Sequence, residues 1–101
     1  MRLLRQIVEW GLEEPARQVD VKDSDDRFVG RLDLGWTDHQ LGLEYDSERY
    51  HNPRHWQRDE LRQVRDGELG WEVHRVDKYD LLPGVAWLRE LLARRLRRPA
   101  A

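Results

Sequence analysis

The runs FVGRLDLGW at residues 28–36, TDH at 37–39 and QLGLEYD at 40–46 decide the fold. Successive side chains of a strand alternate between faces. On that rule Phe28, Leu32, Leu34 and Trp36 share one face of the first run, and Val29, Arg31, Asp33 and Gly35 share the other. In the second run Leu41, Leu43 and Tyr45 lie on one face and Gln40, Gly42, Glu44 and Asp46 on the opposite one. Opposed residues of a hairpin share a face, and a slip of one residue would invert every side chain. Matching apolar with apolar pairs Trp36 with Leu41, Leu34 with Leu43 and Leu32 with Tyr45, across a tight loop around Asp38 and His39. The same register sets Asp33 opposite Glu44 and Arg31 opposite Asp46.

Opposed strand residues have Cβ atoms about 4.5–5.5 Å apart, and like charges so placed are destabilising unless something compensates. A divalent cation compensates for Asp33 beside Glu44, because hard ions such as Mg²⁺ take carboxylate oxygens together with water and substrate phosphate. The alternative is a solvated face on which Arg31 pairs with Asp46 while Asp33 and Glu44 point into water.

Outward from the hairpin, Leu3, Leu4, Ile7 and Val8 recur at helical spacing before Gly11, which predicts a short opening helix. Val19 and Val21 alternate with polar residues after Pro15, so a first strand is expected over 17–21, closed by a polar turn over 23–27. Residues 54–69 have helical composition, with no Pro or Gly until Gly67, and Gly70 as a stop. Residues 71–76 return to strand-like composition, and a right-handed crossover places that strand parallel to the third. After Pro83 and Gly84, Val85, Leu88, Leu92 and Leu96 fit one face of a last helix, with Arg94, Arg95, Arg97 and Arg98 as a solubilising basic end. The expected fold class is α/β: a mixed sheet flanked by helices, one domain over 1–98 and a frayed tail over 99–101.

With hydrophobic residues at 39% and charged residues at 38%, the core must be small, and the five tryptophans (10, 36, 56, 71 and 87) are expected to supply much of it. The formal net charge of −2 means that any site for a polyanion has to be local. Having no cysteine excludes a disulfide framework, a thiolate zinc site and a cysteine nucleophile. Residues 1–10 are too short and too charged for a signal peptide, and no apolar run approaches the roughly 20 residues that span a bilayer. A cytoplasmic protein without a membrane partner is the expectation.

The segments 30–33 (GRLD), 42–46 (GLEYD), Tyr50-His51, Arg58-Asp59 to Arg62, and Gly70-Trp71 together resemble the very-short-patch-repair-endonuclease-like domains of the PD-(D/E)XK nuclease superfamily. The resemblance runs from about Leu3 to Leu92, with every motif in order. It implies a restriction-endonuclease-like αβββαβ core, followed here by the C-terminal helix. It also implies that Asp33 and Glu44 bind the metal, Mg²⁺ or Mn²⁺, with the Tyr45 carbonyl as a further ligand. Asp46 stands where the superfamily usually has a lysine, so the water-activating or charge-stabilising role passes elsewhere. His51 is the nearest candidate, since imidazole works as a general acid or base near neutral pH. Related domains carry an acidic residue in the first helix, upstream of the position resembling Arg2, for which this sequence has no counterpart.

Arg54, Arg58, Arg62 and Arg65 fall within about 80° on a helical wheel. Arginine forks match phosphate oxygens and fix a nucleic acid over the carboxylates. The competing reading pairs them with Asp59 and Asp66. Arg58 and Arg62 match the family pattern and rank ahead of Arg54 and Arg65. Trp71 reads as core and His74 is left unassigned. The leading expectation is a metal-dependent nuclease acting on nucleic acid, DNA first, with Asp46 orienting water or a second metal. The alternative is a catalytically silent nucleic-acid-binding or regulatory, antitoxin-like module of the same fold. If the carboxylates only repel each other, removing Asp33 or Glu44 leaves stability unchanged or slightly higher in metal-free buffer.

Overall fold

The computed structural model describes residues 1–45 and 69–97. The chain is α/β. Helix α1 (Arg2–Glu9) opens it, followed by strands β1 (Ala16–Lys22), β2 (Phe28–Trp36), β3 (Leu41–Tyr45) and β4 (Glu72–Val76), and helix α2 (Trp87–Leu96) closes the described part. The four strands form one sheet in the order β1-β2-β3-β4. The β1–β2 and β2–β3 pairs are antiparallel, whereas β4 lies parallel to β3, as the crossover argument required. The helix expected over 54–69, with Trp56, falls outside the described residues apart from Leu69.

The hairpin register follows the polarity argument, with Leu34 opposite Leu43 and Trp36 opposite Leu41. Its loop is a 3₁₀ turn, Thr37–His39, ended by Gln40 in the left-handed region at φ 49°. Leu34, Leu41 and Leu43 are fully buried, together with Leu3 and Ile7 of α1, Leu88 and Leu92 of α2, and Val76. This cluster explains both helices: each lays the apolar side set by its helical spacing on the same sheet face. Fully burying each leucine stabilises the fold by about 1.5–3 kcal/mol. Within α1 the spacing overreaches at Val8, which is 48% exposed. Leucine rather than tryptophan dominates this cluster: Trp36 is buried with its Nε1–H on the Glu13 carbonyl, but Trp87 is 39% exposed.

Strict alternation along β2 fails. Phe28 is exposed and Val29 buried, and Leu32 belongs to a second cluster with Val21, Val29 and Trp71, not with Leu34 and Trp36. Two residues apart, Leu32 and Leu34 are thus buried on opposite faces, so the strand rotates at Asp33. Gln18, which the β1–β2 register sets opposite Asp33, is left out of the ladder and takes φ 55°. The expected Leu32–Tyr45 pair is accordingly absent, the β2–β3 ladder having ended at Leu34 and Leu43.

Leu32 instead packs over Gly42. A Cβ on Gly42 would overlap Leu32 Cδ1 and lie 3.2 Å from its Cγ, so a side chain here displaces the leucine. Gly42→Ala is expected to cost about 1–3 kcal/mol as overpacking, with part of the loss recovered in the Gly42→Ala/Leu32→Ala double variant. Leu34→Ala and Leu43→Ala should each cost about 2–5 kcal/mol. Chemical denaturation checks all four, and a negligible loss for both leucine variants would contradict the packing described.

Candidate functional site

The rotation of β2 at Asp33 determines what its carboxylate can do. Neighbours on opposite faces leave Asp33 pointing sideways toward β3, where Oδ2 accepts the Tyr45 N–H at 2.7 Å. The carboxylate stands in for the ladder carbonyl that a regular Leu32–Tyr45 pair would have offered. This is a charge-assisted bond, of a kind roughly twice as strong as a neutral one. Asp33, Glu44 and Tyr45 are all half-buried. Glu44 follows buried Leu43, so it lies on the face of Gly42, away from α1 and α2.

Asp33 and the Glu44–Tyr45 dipeptide thus meet at the carboxyl end of β3, beside parallel β4. In open α/β sheets ligands collect at such strand ends. One amide hydrogen uses only one of a carboxylate's roughly four acceptor sites. Two carboxylates and a backbone carbonyl are oxygen donors of the kind a hard divalent cation takes. Among the described residues, no group of three or more His, Cys, Asp or Glu side chains is arranged to hold a metal ion. Asp46, His51, Arg54, Arg58, Arg62 and Arg65 lie outside the described residues.

Arg31 has a partner in β1, while its expected pairing with Asp46 falls outside the described residues. Its Nε donates to Asp20 Oδ1 of β1 at 2.8 Å, and its guanidinium lies 5.8 Å from the Phe28 ring centroid. A hollow of about 300 Å³ lined in part by Gln6, Trp10, Leu81, Leu82 and Arg89 carries no carboxylate and is separate from Asp33 and Glu44.

A second polar constellation, unassigned from sequence, occupies the helix-covered face. Glu72 and His74 are two apart on β4 and so share that face. Glu72 Oε2 lies 2.7 Å from His74 Nε2, and Oε1 accepts from Arg95 Nε of α2 at 2.9 Å. Arg95 also donates to the His39 carbonyl at 3.4 Å, and His39 Nε2 is 3.6 Å from Glu13 Oε1. The His74 ring stands 6.2 Å from that of Trp87, whose Nε1–H donates to Asp80. Arg95 is therefore a tether between helix and sheet, where its sequence context suggested a solvated basic end. The signal was present: Arg95 follows Leu88 by seven residues, placing it on the buried side of α2.

In comparisons with protein-family models, with curated proteins and with solved structures, nothing matches the chain. No helix among the described residues is long and apolar enough to cross a membrane.

Burial raises the pKa of Glu72, but the hydrogen bonds and charges of His74 and Arg95 outweigh it and hold the carboxyl below its ordinary value. A depressed carboxylate contributes stability that is present above the unfolded pKa, about 4.3 for glutamate, and is lost as pH falls through the folded value. Glu72→Gln should therefore lower stability at neutral pH, and its difference from the unaltered protein should shrink as the pH drops below about 4. Urea midpoints measured across that range check it, and a pH-independent difference would contradict the assignment.

Proposed function

We propose that the chain is a metal-dependent nuclease-type domain that hydrolyses phosphodiester bonds of nucleic acid, DNA in the first instance. On this reading it has a restriction-endonuclease-like fold of the very-short-patch-repair-endonuclease-like branch of the PD-(D/E)XK superfamily. The observation that carries it is the Asp33–Tyr45 bond at 2.7 Å, because it fixes one carboxylate beside the residue pair that bears the second. Asp33, Glu44 and the Tyr45 carbonyl would hold Mg²⁺ or Mn²⁺, which when bound supplies an activated water and charge stabilisation at phosphorus. Asp33 is pre-oriented, since its rotamer is fixed by the backbone of the neighbouring strand. Glu44 is half-buried, which keeps part of the bulk solvent from its carboxylate. Asp46 and His51 complete the proposed set as water-orienting and proton-transferring groups, and Arg58, Arg62, Arg54 and Arg65 as phosphate contacts.

The same bond supports a second reading. An Asp33 whose task is to close the break in β2 would persist in a module that binds nucleic acid without cleaving it, whether regulatory or antitoxin-like. Asparagine separates the two, because its Oδ1 still accepts the Tyr45 amide hydrogen but carries no charge for a cation.

Asp33→Ala leaves that amide without its partner, so it should cost about 1–3 kcal/mol. This reverses the expectation drawn from charge repulsion alone. Asp33→Asn should retain most of the stability. Cleavage of a DNA duplex should appear with Mg²⁺ or Mn²⁺, stop with chelator, and be lost in Asp33→Asn, Asp33→Ala and Glu44→Ala. Cleavage that persists in Asp33→Asn after rigorous purification overturns the site. Salt-sensitive DNA binding with no cleavage under either metal establishes the silent module.

A further inference from the structure

We infer that Arg75 supplies the positive charge that meets the phosphate of a nucleic acid lying over Asp33 and Glu44; the inference rests on the function proposed above. The β3–β4 ladder sets Glu44 directly beside Arg75. In a parallel ladder such neighbours point to the same face. The contacts of β4 establish which face that is. Glu72 and His74 meet Arg95 and Trp87 of α2, and Val76 is buried in the cluster under both helices. Val73 packs instead against the Val21, Val29, Leu32 and Trp71 cluster. Arg75, two residues beyond Val73, therefore lies on the face of Gly42 and Glu44, and it is exposed.

Glu44 and Arg75 thus stand side by side on β3 and β4, strands about 4.8 Å apart, while the Asp33 carboxylate reaches the same end of β3 from β2. Two carboxylates repel an approaching phosphodiester, a repulsion that a bound divalent cation would offset, and β4 borders that site on its far side. A guanidinium on the adjacent strand reaches that side, and its planar fork fits phosphate in two parallel hydrogen bonds. Sequence inspection overlooks Arg75 because it sits 31 positions from Glu44, and only the parallel register joins them.

The experiment measures binding of a short DNA duplex in Ca²⁺ over a range of salt concentrations, alongside cleavage in Mn²⁺. It uses the unaltered protein, Arg75→Ala, Arg75→Gln and Arg75→Lys, each checked for folding by circular dichroism. One phosphate contact contributes about 0.9 to the slope of log K against log salt. Arg75→Ala and Arg75→Gln should be shallower by about that amount, while Arg75→Lys keeps the slope. Cleavage should fall on the order of a hundredfold in the two neutral variants. Should Arg75→Ala fail to fold, Arg75→Gln decides. Slopes and cleavage equal to those of the unaltered protein overturn the inference, since that is the behaviour of an arginine that only neutralises Glu44. If the unaltered protein binds DNA but cleaves under no divalent metal, the hydrolytic reading fails and the salt slope alone still decides the role of Arg75. Absence of any DNA binding overturns both.

Discussion

A backbone amide at the end of a strand needs an acceptor, and Tyr45 finds one in the Asp33 carboxylate at 2.7 Å. That bond frees β2 from continuing its regular ladder with β3. The strand rotates, and Leu32 crosses to the face opposite Leu34. There it fills the space over Gly42, which only glycine leaves open. Gln18 accommodates the same rotation in β1 by adopting φ 55°. One side-chain-to-backbone bond thereby couples three strands, and it delivers a carboxylate to the carboxyl end of β3. A buried amide left without an acceptor would cost about as much as a lost hydrogen bond, so the arrangement is specified by energy as well as by shape.

The sheet consequently carries two unlike faces. One is covered by α1 and α2 over a leucine-rich cluster, and a polar seam of Glu72, His74 and Arg95 runs beneath the second helix. The other holds Val21, Val29, Leu32 and Trp71, with Glu44 and Arg75 along its β3–β4 side. Because Glu72 accepts from Arg95 and lies against His74, burying it is offset locally, and none of the described buried polar side-chain atoms lacks a partner. The seam thus fixes α2 on the sheet at a position where apolar packing alone would leave its rotation less defined.

Polarity made the central pairs legible. Leu34 with Leu43 and Trp36 with Leu41 follow from matching apolar faces, and the parallel β4 follows from the length of the connection. The same argument set Asp33 opposite Glu44, but the β2–β3 ladder ends at Leu34 and Leu43 and Asp33 accepts from the Tyr45 amide. The rotation at Asp33 was not legible, because alternation treats a strand as uniform and a carboxylate substituting for a carbonyl leaves no trace in hydrophobic pattern. The same blind spot misassigned Leu32, and Phe28, expected on the face of Leu34, is exposed beside the register shift between Val21 and Lys22. Arg95 was read by its charge and not by its helical position; of the tryptophans, Trp36 and Trp71 are buried as core while Trp87 is 39% exposed, and leucine supplies more of the core than expected. Arg75 could not be found from sequence, since its relation to Glu44 exists only across the sheet. The remaining members of the expected site, Asp46, His51 and the four arginines over 54–65, lie outside the described residues.

The left-handed Gln18 has a further consequence. β1 ends the strand order, so one side of its backbone faces no other described strand. A straight edge of that kind is a template on which another chain can add by hydrogen bonding. Here the extended conformation is broken at Gln18 in the middle of the strand, and exposed Arg17, Asp20 and Lys22 stand around the break. β2 pairs on both sides of Gln18 in one register by rotating opposite it at Asp33, so a straight, regular strand would match the amides before Gln18 or those after it. The twist that orients Asp33 on the inner side of the sheet thus makes its outer border a poor seed for strand addition, and the molecule gains resistance to aggregation from the feature that shapes its candidate site.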